Sequence, residues 1–142
     1  MRRGAIDAAE ADDPDALLDR YRTLLRETVD AVGVDRVEAE SGLDRATIER
    51  AVGDEAGEVT LEEAASMLAS DPGAPDAESI AAEARDILLL GMTTAVLDVA
   101  SLASELDGTM GAKALQQKVE GRHPMTLGEY AAVHYHLRDH TD

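Results

Sequence analysis

Lys113, Gln116, Gln117, Lys118, Arg122 and His123 crowd into eleven positions of a chain that is otherwise acidic. If 112–119 is a helix with Ala112, Leu115 and Val119 turned inward, then Lys113, Gln116, Gln117 and Glu120 share its outer face. Glutamine suits adenine, and lysine suits guanine or a phosphate, so this face has groups that can read base edges. Residues 111–126 carry Lys113, Lys118 and Arg122 against Glu120, a local charge of +2 in a chain of net charge −17. The competing interpretation is that Gln and Lys are ordinary helix-surface residues.

Two weaker sets accompany it. Arg45, Thr47 and Arg50 could touch a phosphate backbone, but their face also presents Ala46 and Glu49, and a carboxylate opposes phosphate. His134, His136 and His140 lie near the C-terminal end. His136 and His140 are four apart with Asp139 beside them, the start of a metal site that has no evident third ligand. No catalytic constellation is present: there is no phosphate-binding glycine loop, no nucleophile elbow and no acid pair that stands out from 30 Asp and Glu. No cofactor, metal or catalytic residue is expected.

Composition narrows the class. The chain has 142 residues, no Cys, Trp or Phe, three Tyr, 25 Ala and 16 Leu. That excludes a disulfide scaffold and a thiolate site, and it disfavours a β-sandwich or barrel, which uses β-branched and aromatic residues. The 11 Arg and two Lys against 30 acids look like proteins of halophilic archaea, where molar salt shortens the Debye length to ~3 Å. Neither a span of about 20 apolar residues nor a secretory h-region is visible, so a cytoplasmic location without membrane contact is expected.

The elements follow from caps and breakers. Residues 1–13 read as a disordered acidic leader. Pro14 opens an amphipathic helix that Gly33 ends. Short helices follow at 34–41, closed by Gly42, and at 45–52, capped by Asp44. A polar loop at 53–59 leads to the capping box Thr60-Leu61-Glu62-Glu63. The run 71–75, Asp-Pro-Gly-Ala-Pro, is a linker. A long helix then starts at Asp76, and its apolar stretch 87–97 is expected to be buried all round. Asp98 caps a short helix, 107–111 is a turn, 112–119 is helical, and Thr126-Leu127-Gly128-Glu129 is a second capping box.

The second half repeats the first. Leu24-Leu25 answers Leu89-Leu90 at an offset of 65, Ile48 and Val52 answer Leu115 and Val119 at 67, and the capping boxes match at 66. The order long, short, turn, short, loop, capped helix occurs twice. Each unit resembles the helix-turn-helix of lambda-repressor-like domains. Leu102-Ala103 and Leu106 resemble that family's first motif helix. Leu115 and Val119 resemble the buried positions of its recognition helix, and Val119–Leu127 its exit. Val37, Gly42, Leu43, Ile48, Val52 and Gly53 fit the same template. Glu38 and Ser41 depart from it. The whole chain also resembles a family of short, acidic, functionally uncharacterised proteins of halophilic archaea, notably through 89–99.

These readings give an all-α fold: two four-helix, helix-turn-helix-like repeats, 14–70 and 76–142, packed into one compact unit. The helix-turn-helix resemblance implies a DNA-binding transcriptional regulator that reads DNA mainly through 112–123, with no enzymatic activity. The alternative is an interaction or dimerisation module, whose partner is another protein or a second copy.

Overall fold

The computed structural model describes residues 13–106 and 110–141, the last four as backbone only. The expected leader, Asp13 apart, and most of the expected turn at 107–111 lie outside the described residues. Within them the fold is all-α, as expected, with eight α-helices: α1 (Pro14–Val32), α2 (Val34–Ser41), α3 (Arg45–Val52), α4 (Leu61–Leu68), α5 (Ala77–Ala95), α6 (Val99–Glu105), α7 (Ala112–Val119) and α8 (Leu127–Thr141).

Local chemistry sets the boundaries. Asp13, Asp44, Asp76 and Asp98 are N-caps whose side chains accept from the N–H three residues on, each at 2.8 Å. These bonds satisfy donors that the first helical turn leaves without partners. Gly42 ends α2 in the left-handed region at φ 75°, where an L side chain would be strained. The expected loop 53–59 holds a 3-10 turn at Ala56–Glu58, and Ala56 and Val59 are buried. It is therefore part of the core wall and not simply a polar connection.

The halves join at the two capping boxes. Thr60 Oγ1 accepts from the Glu63 N–H, and the Glu63 carboxylate accepts from the Thr60 N–H. Thr126 and Glu129 do the same. The next donor of each helix is satisfied by the other half. The Leu61 N–H donates to the Met125 carbonyl at 2.7 Å, and the Leu127 N–H to the Val59 carbonyl at 2.8 Å. The two strand-like segments pair antiparallel at Thr60 and Thr126. Gly57 and Gly128 allow this approach: a Cβ on Gly128 would stand 3.1 Å from the Gly57 carbonyl oxygen.

Helices then pack across the join as well as within each half. α1 lies on α8 and α4 on α5, around a single core that draws residues from every α-helix. The Tyr21 and Tyr130 rings meet with centroids 5.6 Å apart, and the Tyr130 hydroxyl donates to the Ala84 carbonyl at 3.0 Å. Burial keeps both phenols well above the ordinary tyrosine range, with the partner Tyr130 adding to the effect at Tyr21 and Glu83 at Tyr130.

The structure corrects two expectations for α5. Its buried Ile80, Ala84 and Leu88 follow the buried Leu17, Tyr21 and Leu25 of α1 by 63 residues, two fewer than the offset read from the leucine pairs. The stretch 87–97 is also not buried all round. Leu88 is fully covered, but Leu89 is 42%, Leu90 56% and Val96 89% exposed. None of the described residues covers that side of the helix, so apolar character on every face does not produce burial on every face here.

Two outcomes test this account. Tyr130→Ala removes a buried ring and should cost about 3–5 kcal/mol, read as a shift in the denaturant midpoint; a loss below 1 kcal/mol would show that the joint does not rely on this ring. The carboxyls of Asp44, Asp76 and Asp98 are held below their usual range by hydrogen bonds from Thr47, Ser79 and Ser101. Groups lowered in the folded state stabilise it above their unfolded value of about 3.9 and lose that contribution as pH falls through the lower folded values. The double variant Asp44→Ser, Asp98→Ser keeps non-titrating caps. Its stability should therefore fall less steeply below pH 4 than that of the parent.

Candidate functional site

α7 is held on the surface by its own apolar side and by α5. Leu115 and Val119 are buried. The Arg85 Nε donates to the Lys118 carbonyl at 3.3 Å, and the same guanidinium pairs with Glu62 on α4. A Cβ on Gly121, which turns the chain at φ 84°, would lie 3.3 Å from that Nε. The helix end is thus capped by a cation from another element, which suits the partial negative charge of unsatisfied carbonyls there.

The expected outer face is only partly as read. Lys113, Gln116, Arg122 and His123 are exposed, while Gln117 and Lys118 are half-buried. Ala112 is exposed and not inward, because the apolar contact begins one turn later, at Leu115. The cations are largely committed. Lys118 Nζ lies 2.5 Å from Glu129 Oε2, and Arg122 pairs with Glu120. Gln116 Nε2 donates to Glu120 Oε2 at 3.2 Å. Arg122 first, then Gln116, holds the Glu120 carboxyl below its usual range. Of the lysines and arginine in this set, Lys113 makes no ion pair among the described residues. The +2 counted along the sequence is thus offset by Glu129, which lies outside the counted segment.

The first half places its three residues differently. Arg45 binds Asp35 at 2.5 Å and Glu38 at 3.3 Å, and these partners push its pKa up. Thr47 is buried; its N–H bonds Asp44, and its hydroxyl takes Arg50 at 3.3 Å. Arg50 is exposed and, among the described residues, makes no ion pair within 4 Å, although its charge acts on Asp44. It lines a shallow concavity of about 680 Å³ with Asp44, Glu49, Asp54 and Glu55, and that many carboxylates oppose a phosphate.

The histidines separate too. His134 Nδ1 stands 2.8 Å from the Tyr21 hydroxyl, beside the Tyr130 ring. The neutral Tyr21 hydroxyl can donate to Nδ1 or accept from it, according to which ring nitrogen carries the proton. His136 lies edge-on to Tyr135. The His140 side chain is outside the described residues, and among those described no three His, Cys, Asp or Glu gather as a metal site.

A surface that residue chemistry did not single out is the apolar side of α5. Leu89 and Leu90 are exposed on it, with Val96 at its end. A shallow groove of about 560 Å³ runs beside them, lined by Leu89, Met92, Thr93, Val96, Leu97 and Asp98. The signal was present in the sequence: 87–97 is the longest stretch without Asp, Glu, Lys or Arg.

The model of a family of unknown function, DUF5791, matches residues 17–140. The chain belongs to DUF5791. No curated protein and no solved structure matches it. The matched span of this DUF5791 chain takes in both capping boxes and all of α5 and α7. Among its described residues, no single helix is long and apolar enough to cross a membrane.

The pairings on α7 make a measurable prediction. Glu120→Gln with Glu129→Gln frees Arg122 and Lys118, so the DUF5791 chain should elute from an anionic heparin column at higher salt. A control pair of equal charge change, Glu27→Gln with Glu49→Gln, should shift less. Equal shifts would show that overall charge, and not these two pairs, sets anion affinity.

Proposed function

We propose that this chain is a non-catalytic protein-interaction module that docks through the exposed side of α5. One observation carries the reading: Leu89, Leu90 and Val96 form an apolar surface beside an open groove, on a protein whose charge otherwise favours solvent. Exposed apolar side chains cost about 25 cal/mol per Å² relative to burial. Contiguous patches rimmed by polar groups are characteristic of docking sites. The groove is shallow and open and brings together no catalytic groups.

A DNA-binding regulator of the helix-turn-helix type is the second reading. It is favoured by the helix order and by Lys113 and Gln116, which stand exposed on α7. The internal pairing of Lys118 and Arg122 counts against it, since phosphate contacts draw their affinity from cations that displace counterions.

One experiment separates the two. A photo-crosslinking amino acid is placed at position 90, 116 or 27 and irradiated in cells. The module reading expects protein adducts at 90 and none at 27, the solvent-facing control on α1. Nucleic-acid adducts at 116 with none of protein at 90 would replace it with the DNA reading.

A further inference from the structure

We propose that the occupant of the α5 face is a second copy of this chain, packed α5 against α5 about a two-fold axis. The proposal rests on the module reading above and names its partner.

The protein contains its own control. At the 63-residue offset fixed by the buried positions, α1 and α5 are equivalent helices of 19 residues each. Exposed Arg26, Glu27 and Asp30 of α1 correspond to exposed Leu89, Leu90 and Thr93 of α5. The fold therefore tolerates charge at these positions, and the first half has it. The second half has none. The same comparison holds at the helix end. Gly33 closes α1 at φ 95°, and its counterpart Val96 closes α5 at φ 56°. A β-branched residue in the left-handed region is strained, and Val96 is also almost fully exposed. The turn gains backbone hydrogen bonds from the Val96 N–H to Thr93 and from the Leu97 N–H to Met92, but among the described residues no side chain covers Val96.

Charge selects the partner. In a two-fold contact the same surface faces itself, so a charged residue near the axis meets its own copy. A chain of net charge −17 can self-associate only where it is locally neutral, and 87–97 is its longest neutral stretch. A basic partner would instead find its electrostatic attraction at the acidic surfaces and not at this one. The strip is bounded by exposed Asp86 and Asp98. An antiparallel pair of α5 helices brings these ends of the two copies toward each other, and Leu90 of each toward the groove of the other. Association should thus tighten as salt screens the rims, opposite to the behaviour of a complex with a cationic partner.

Sedimentation equilibrium on the full chain tests this between 0.3 and 2 M KCl, with circular dichroism confirming helix content at each salt. The expected result is a dimer that tightens with salt. Leu90→Glu, which copies Glu27 of α1, should weaken it at least tenfold without changing the helix signal. Val96→Gly, which copies Gly33, should raise monomer stability while weakening the dimer. A monomer throughout, or a dimer indifferent to Leu90→Glu, overturns the proposal. A monomer that still forms adducts with a different protein at position 90 would overturn it while leaving the module reading standing.

Discussion

The fold depends on a reciprocal exchange of two backbone hydrogen bonds. A helix start leaves four N–H groups without internal partners, and a buried donor left unpaired costs about 1–3 kcal/mol. In α4 the Thr60 N–H goes to Glu63, the Glu63 N–H goes to Thr60, and the Leu61 N–H goes to Met125 of the other half. In α8 the same three donors are met in the same way, with Val59 as the outside acceptor. Each half completes the other's capped helix. Separating them would strand both donors and also open the core under Tyr21 and Tyr130.

Charge is used in the same structural manner. Arg26 donates to the Val52 carbonyl at 2.8 Å, Arg85 to that of Lys118, and Arg36 to that of Ser70 at 3.5 Å. Three scarce guanidiniums thus serve as lids on helix ends, where a cation is favoured. Arg22 and Arg85 sit 63 residues apart, and both reach toward the end of the third helix of their half, Arg22 through Asp54 at 3.9 Å. Carboxylates do the complementary work at N-termini. Much of the charge that looks like surface chemistry in the sequence is occupied with termini.

What the sequence disclosed was local. The caps Asp44 and Asp98, both capping boxes, the closing glycines 33 and 42 and the order of helices all depend on residues within four positions of one another, and all are present, whereas Asp13, read as part of the leader, caps α1. What it concealed depended on distance. Lys118 meets Glu129 eleven residues away, and Arg45 meets Asp35 ten residues away, so the cationic face could not be discounted from a window. Thr47 looked like a free hydroxyl because its burial is decided by other helices. The α5 stretch misled for another reason: periodicity reports polarity and not what lies opposite. The leucine pairs suggested an offset of 65 because they are conspicuous, whereas the inward-facing residues, including the inconspicuous Ala84 opposite Tyr21 in the count, fix 63.

Glu129 has two tasks. One carboxylate oxygen receives the Thr126 N–H at the start of α8, and the other receives Lys118 from α7. Any anion that recruits Lys118 must therefore compete with the residue that begins α8, one step from where the two halves are stitched together. The outer side of α7 and the first turn of α8 thus draw on a single carboxylate, set one step from the central seam.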